Sequence, residues 1–215
     1  MLSKQKYGFM TKRLTRDDIQ QLDRLYRMQL MNTLPGIKNA SLIGTQDREG
    51  RSNLAIFNSV VHIGANPPYL GFILRPLTVN RQTYQNLKAT GAFTLNMVTR
   101  SMLQAAHQTS AKYAPGESEF AATGLTEWYQ DNLPAPYVAE SPVRIGLTFA
   151  EEQHIKANDT WLIVGAVQEI FFPQEAVLET GHLQLEQLAT IGVAGLDSYY
   201  ELEFLERLAY ARPVE

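Results

Sequence analysis

Short apolar runs separated by polar turns dominate this chain, and most of them carry the pattern of strands rather than helices. Residues 40–46 (ASLIGTQ), 53–63, 69–74, 92–98, 143–151 and 160–172 are rich in β-branched and aromatic side chains. The turn Asp47-Arg48-Glu49-Gly50 joins the first two of these into a hairpin, with glycine where positive φ is needed. Asn66-Pro67-Pro68 stops a ladder, because proline cannot donate to it. A polar turn over 156–159 links the last two runs. The 53–63 run is long for one strand and is expected to bend or bulge near Asn58-Ser59, as barrels require.

Helical periodicity is confined to a few segments. Ile19, Leu22, Leu25, Tyr26 and Leu30 predict a packing helix to about Asn32, begun by a capping-box-like Thr15 with Asp17 and Asp18 in its first turn. The stretch LTVNRQTYQNLKATG predicts a second helix, capped by Thr78 or Asn80 and closed by Gly91. Short helices are expected at 101–107 and 117–122, and a C-terminal one at 197–207, whereas 132–142 is extended and 173–188 is loop with helical turns. Residues 1–13 form an arm with Tyr7, Phe9 and Met10 as anchors. The count is six substantial strands, whose short connections make them antiparallel neighbours. The fold class is therefore mainly β (α+β), a six-stranded antiparallel barrel with peripheral helices. No linker divides the chain, so residues 1–215 are one domain, with 1–34 as N-terminal arm and helix.

Composition narrows the chemistry. A 215-residue chain buries a substantial core, and a net charge of −3 gives no reason to expect nucleic acid or an anionic membrane as partner. The absence of cysteine removes disulfides, thiolate nucleophiles and cysteine-ligated metals. No continuous apolar stretch suggests a signal peptide or a membrane span, so a cytoplasmic location is expected. GxxxxGK[ST], GxGxxG, GxSxG and HExxH are all missing. Arg75, Asn80, Arg81 and Thr83 cluster at the start of the second predicted helix, where free N–H groups, the positive end of the dipole and two guanidinium groups suit a phosphate. Solvated surface arginines are the ordinary alternative.

Five segments in order carry a resemblance to a known family. NLAIFNSVVHIGANPP from Asn53, NRQTYQNLKATGAFTLN from Asn80, TSAKYAPGESEFAATGL from Thr109, AESP from Ala139 and GLDSYY from Gly195 resemble the flavin reductase-like, FMN-binding split-barrel family over roughly residues 35 to 213. The resemblance implies a split barrel that binds FMN as a homodimer. By it, Phe57, Asn58, Ser59, Val60 and Val61 lie along the isoalloxazine and ribityl chain, and Arg75, Asn80, Arg81 and Thr83 hold the phosphate. Thr109, Ser110 and Ala111 form a loop near the flavin, in its own subunit or reaching from the other. Tyr199 and Tyr200 either stack near the ring or pack structurally in a C-terminal helix. The reaction implied is hydride transfer from NADH or NADPH to flavin and on to a small-molecule acceptor. The alternative is an FMN-binding sensor or carrier without nicotinamide-dependent turnover.

Several positions depart from the family's commonest pattern. Ile56 stands where proline is frequent, and Val61-His62 replaces a small serine-rich pair, so His62 narrows the space over the ring. His107, beside Gln-Thr-Ser-Ala, is a candidate for contact with flavin or substrate and for proton delivery. His154 and His182 are read as structural or surface residues, and Glu117 and Glu119 as a solvated helix start. No catalytic residue and no metal ligand is assigned.

Overall fold

A computed structural model describes residues 3–4, 10–114 and 116–213. Tyr7 and Phe9 lie outside the described residues, and Met10 stands 60% exposed rather than anchored. In chain order the strands are β1 Ser3–Lys4, β2 Met10–Thr11, β3 Lys38–Asn39, β4 Ser41–Gln46, β5 Ser52–Phe57, β6 Val60–Ala65, β7 Pro68–Leu74, β8 Ala92–Met97, β9 Glu127–Gln130, β10 Leu133–Val138, β11 Arg144–Ile155, β12 Thr160–Phe171, β13 Ile191–Ala194 and β14 Ser198–Glu201. The helices are α1 Arg16–Gln21, α2 Arg24–Thr33, α3 Gln82–Thr90, α4 Leu103–Gln108 and α5 Glu119–Thr123.

Seven strands form one antiparallel sheet in the order β5-β4-β8-β11-β12-β7-β6. Its two edges, β5 and β6, are separated in sequence by Asn58 and Ser59 alone. A flat sheet of that width would hold its edges about 29 Å apart. The chain from Phe57 to Val60 reaches only about 11 Å. The sheet must therefore curl until its edges approach, although no ladder joins them. This corrects two expectations. The sheet has seven strands rather than six and is not closed by hydrogen bonds, and the 53–63 run is two strands on opposite edges rather than one bent strand. The physical reason lies at Ser59. Its hydroxyl donates to the Ile73 carbonyl at 2.9 Å and accepts from the Ile73 N–H at 3.2 Å, pinning the turn to β7.

Inside the roll, Phe57, Phe72 and Phe93 meet edge to face, with centroids 5.1 and 5.5 Å apart, among buried Ile43, Leu87, Leu95, Leu147 and Ile163. A second cluster lies on the outer face of β5, where Leu54 packs with Val98, Met102, Ala106, Phe120 and Val193. Alternation along β5 serves both layers, since successive side chains point to opposite faces.

The β9–β10 hairpin was not foreseen, because Pro134 and Pro136 argue against a strand within 132–142. β10 tolerates them because, among the described residues, its only ladder is with β9. Buried side chains replace a second ladder: Thr94 donates to the Pro136 carbonyl at 2.6 Å, and Asn96 accepts from the Val138 N–H at 2.9 Å.

The predicted N-terminal helix is broken in two at Leu22-Asp23. The Thr15/Asp18 capping box begins α1 as expected, and the Asp23 carboxylate then caps α2 through the Leu25 and Tyr26 N–H groups. The predicted helix over 197–207 is absent. Ser198–Glu201 instead pairs with β13 as an edge strand of a three-stranded sheet, and 202–213 has no regular structure. Among the described residues no helix is long and apolar enough to cross a membrane.

Candidate functional site

α3 begins without a cap. Arg81 occupies the N-cap position and makes no side-chain cap bond, and neither Thr78 nor Asn80 takes that role. The first intrahelical bond is donated by Gln85 to the Arg81 carbonyl at 3.0 Å. The N–H groups of Gln82, Thr83 and Tyr84 thus point out of the helix end, which carries partial positive charge. Gly91 closes the other end in the left-handed conformation, φ 72°, as expected.

Arg75 and Asn80 are exposed beside this end, and Arg81 is half-buried, its Nε donating to the Pro76 carbonyl at 3.3 Å. Burial lowers the Arg81 pKa, and the nearby Arg75 charge lowers it further. Among the described residues neither guanidinium has a carboxylate partner. Two like charges and three free N–H groups at one place form a cradle for an anion. Thr83 is placed differently. It is 6% exposed, and its hydroxyl accepts from Asn53 Nδ2 at 3.3 Å, tying α3 to β5.

The 57–61 segment is the seam itself. Phe57 turns into the roll, while Val61 is 40% exposed on edge strand β6. Val60 pairs with Phe72 and Ser59 bonds Ile73, so the seam runs beside the strand that leads directly to Arg75. Asn58 donates from Nδ2 to the Gly195 carbonyl at 2.6 Å and so clips the β13–β14 turn onto the seam. Asn58 and Ser59 therefore spend side-chain bonds on holding the seam's shape.

On the outer face of β5, His107 and Tyr199 meet edge to face, with Nδ1 and the phenolic oxygen 2.9 Å apart. Tyr199 packs on the cluster containing Leu54, and burial raises its pKa. Thr109 is buried and donates from its hydroxyl to the Ala106 carbonyl at 2.8 Å, closing α4, whereas Ser110 and Ala111 are exposed just beyond. His62 stands exposed on β6 and Tyr200 is 43% exposed. His154 stacks on Trp161 with centroids 4.5 Å apart and bonds Asp159 at 2.6 Å, and His182 is exposed. The fold thus ties the start of α3 to β5 through Asn53–Thr83 and the seam to β7 through Ser59–Ile73, and it links the β13–β14 turn before Tyr199 to the seam through Asn58–Gly195. His62 lies apart on the opposite edge strand.

One positioning residue escaped the sequence reading. Glu119, expected in solvent, is 7% exposed, and its carboxylate accepts from the Leu54 N–H at 2.9 Å. The signal was available: Phe120 beside it is apolar, and Glu119 opens a helix that packs on β5. Burial raises the Glu119 pKa, and the Leu54 N–H opposes that rise. The folded chain therefore holds a proton that the unfolded chain releases, so stability falls as pH rises from the ordinary value of 4.5 through the folded-state value. Wild type is expected to gain stability relative to Glu119→Gln as pH falls from neutrality toward that range. Urea unfolding of both proteins across the range checks this, and a constant difference would contradict it.

Comparison with known proteins identifies the family and the fold. The sequence model for the flavin reductase like domain matches residues 37–186, more than half of the chain. A Shewanella frigidimarina protein, assigned as a flavin reductase with a split barrel domain, superposes with a TM-score of 0.90 at 41% identity, covering 94% of this chain and 100% of that one. Component B of a Bacillus cereus nitrilotriacetate monooxygenase gives 0.80 at 19% identity, covering 92% and 98%. A Streptomyces globisporus NADH:FAD oxidoreductase gives 0.64 at 13%, covering 85% and 96%. The last two likenesses are of fold. An uncharacterized protein of Halalkalibacterium halodurans is 28% identical over 122 residues, 56% of this chain and 57% of its own length.

Proposed function

This chain belongs to the flavin reductase-like domain family, and from that premise we propose that it binds FMN and reduces it with NADH or NADPH, passing the electrons to a small-molecule acceptor. The observation that carries the reading is the uncapped start of α3, with Arg75 and Arg81 beside it and, among the described residues, no carboxylate on either. A dianionic ribityl phosphate matches that cradle in charge and in its need for several donors.

When bound, the flavin supplies the ring that accepts a hydride and passes electrons on. The chain's own residues bind and orient. Arg75, Arg81, Asn80 and the N–H groups at the start of α3 hold the charged end. The backbone from Phe57 to Val61 offers N–H and carbonyl groups along the seam, in the shape imposed by the Asn58–Gly195 and Ser59–Ile73 bonds. In this reading Thr109, Ser110, Ala111 and Tyr199 contribute from the loop after α4 and from β14, and His107 fixes the Tyr199 phenol. No side chain is required as acid or base, so rate depends on positioning two rings face to face.

A homodimer is part of this reading, supported by large apolar side chains left exposed on α2 and on residues 202–213. The second reading, a sensor or carrier, is favoured by the position of His62, which stands exposed on edge strand β6 where the family commonly has a small residue. Anaerobic mixing of the FMN-loaded protein with NADH and then NADPH separates the two. Bleaching of the visible flavin band is the expected result, and an unchanged spectrum with both reductants would establish the carrier. Parallel titrations with FMN and FAD test the choice of flavin, and a tighter FMN constant is expected.

A further inference from the structure

Two segments leave large apolar side chains exposed. α2 buries no residue, and Leu25, Tyr26, Met28, Met31 and nearby Leu34 stand 37 to 65% exposed around its circumference. Polar residues (Arg24, Arg27, Gln29, Asn32 and Thr33) lie between them, so the helix presents a mixed apolar and basic surface of the kind that marks a contact site. Residues 202–213 are exposed throughout, with Phe204, Leu205, Leu208 and Tyr210 at 51 to 92%. The only bond of this tail to the rest of the chain beyond Glu201, among the described residues, is from Arg207 to the Thr180 hydroxyl at 3.4 Å.

The root of the tail lies close to the end of α2. A side chain built at Gly192 would meet both Ile37 and Leu202, and one built at Gly195 would meet Thr33 of α2. The charges are complementary. Glu203 and Glu206 lie among the tail's apolar residues, and Arg16, Arg24 and Arg27 lie on α1 and α2. None of these five has an ion-pair partner among the described residues. Extended, the tail spans about 40 Å, enough to cross onto a neighbour.

We propose that residues 202–213 of one copy dock on the α2 face of a second copy, and reciprocally. Apolar tail side chains cover Leu25, Tyr26, Met31 and Leu34, and the tail carboxylates face the arginines. Each chain carries both the arm and the face that receives it, as a two-fold dimer requires. This rests on the homodimer reading above and assigns the surface that makes it.

Charge reversal in two separate chains tests the exchange. One chain carries Glu203→Lys with Glu206→Lys, and the other carries Arg16→Glu with Arg24→Glu, all at exposed positions. Sedimentation of each alone is expected to show dimerisation weakened by about tenfold or more. An equimolar mixture is expected to recover dimers as mixed pairs, resolved by native mass spectrometry, because opposite charges then face each other at both contacts. A chain ending at Glu201 is expected to dimerise more weakly still. A wild type that is monomeric throughout, dimerisation indifferent to both reversals, or recovery only when both reversals sit in one chain would each overturn the proposal. The flavin spectrum of each variant reports separately on the binding reading, since FMN retained by monomers, or dimers lacking FMN, would part the two.

Discussion

Replacing Arg75 and Arg81 together with alanine is expected to weaken FMN binding by about two to four orders of magnitude. Each guanidinium supplies charge-assisted hydrogen bonds to a phosphate, worth about 1.5–3 kcal/mol, and tenfold in affinity is about 1.4 kcal/mol. The same substitutions should leave the flavin-free fold intact. Arg81 makes a single long bond to Pro76, and its charge is opposed by Arg75. The melting temperature without flavin is therefore expected to stay constant or rise, while the dissociation constant from flavin fluorescence climbs. Single substitutions should each give part of the loss, and added salt should narrow the gap between wild type and variant. Unaltered affinity in the double variant would remove the phosphate cradle and the functional reading with it.

Gly44→Ala is expected to be the most damaging small change to the fold, costing about 3 kcal/mol or more. A methyl group there would overlap the Pro136 carbonyl oxygen and lie 2.6 Å from the Thr94 hydroxyl oxygen. Those two atoms are bonded to each other, and Asn96 donates to the same hydroxyl at 2.9 Å. The group is buried and short-chained, so nothing in it yields without breaking the links that hold β10 across β4 and β8. Guanidinium unfolding of the variant checks the loss, and a change below about 1 kcal/mol would show that β10 is held loosely.

Much of the sheet was legible because strands announce themselves locally. Residues 69–74, 92–98 and 160–172 were read within a residue of their ends, since a buried sheet demands β-branched and aromatic runs wherever it occurs. Asn58-Ser59 shows where that reading stops. The pattern is continuous across it, and only the distant partners of each half, β4 for one and β7 for the other, divide it into two opposite edges. The tail shows the same limit in reverse. The spacing of Leu202, Leu205 and Leu208 suits a helix, but the free edge of β13 captures Ser198–Glu201 as a strand first.

The clustering of Arg75, Asn80 and Arg81 at the start of α3 was visible because it is compact in sequence, with the helix start and both arginines inside nine positions, 75 to 83. Local chemistry of that kind, together with strand identity and the caps at Thr15 and Gly91, depends on neighbours along the chain and can be read from them. Burial of Glu119, the bond from Asn58 to Gly195 and the meeting of His107 with Tyr199 join residues between 65 and 137 positions apart. No linear pattern encodes such contacts. They follow from how the sheet curls, and the curl is set by packing summed over the whole molecule.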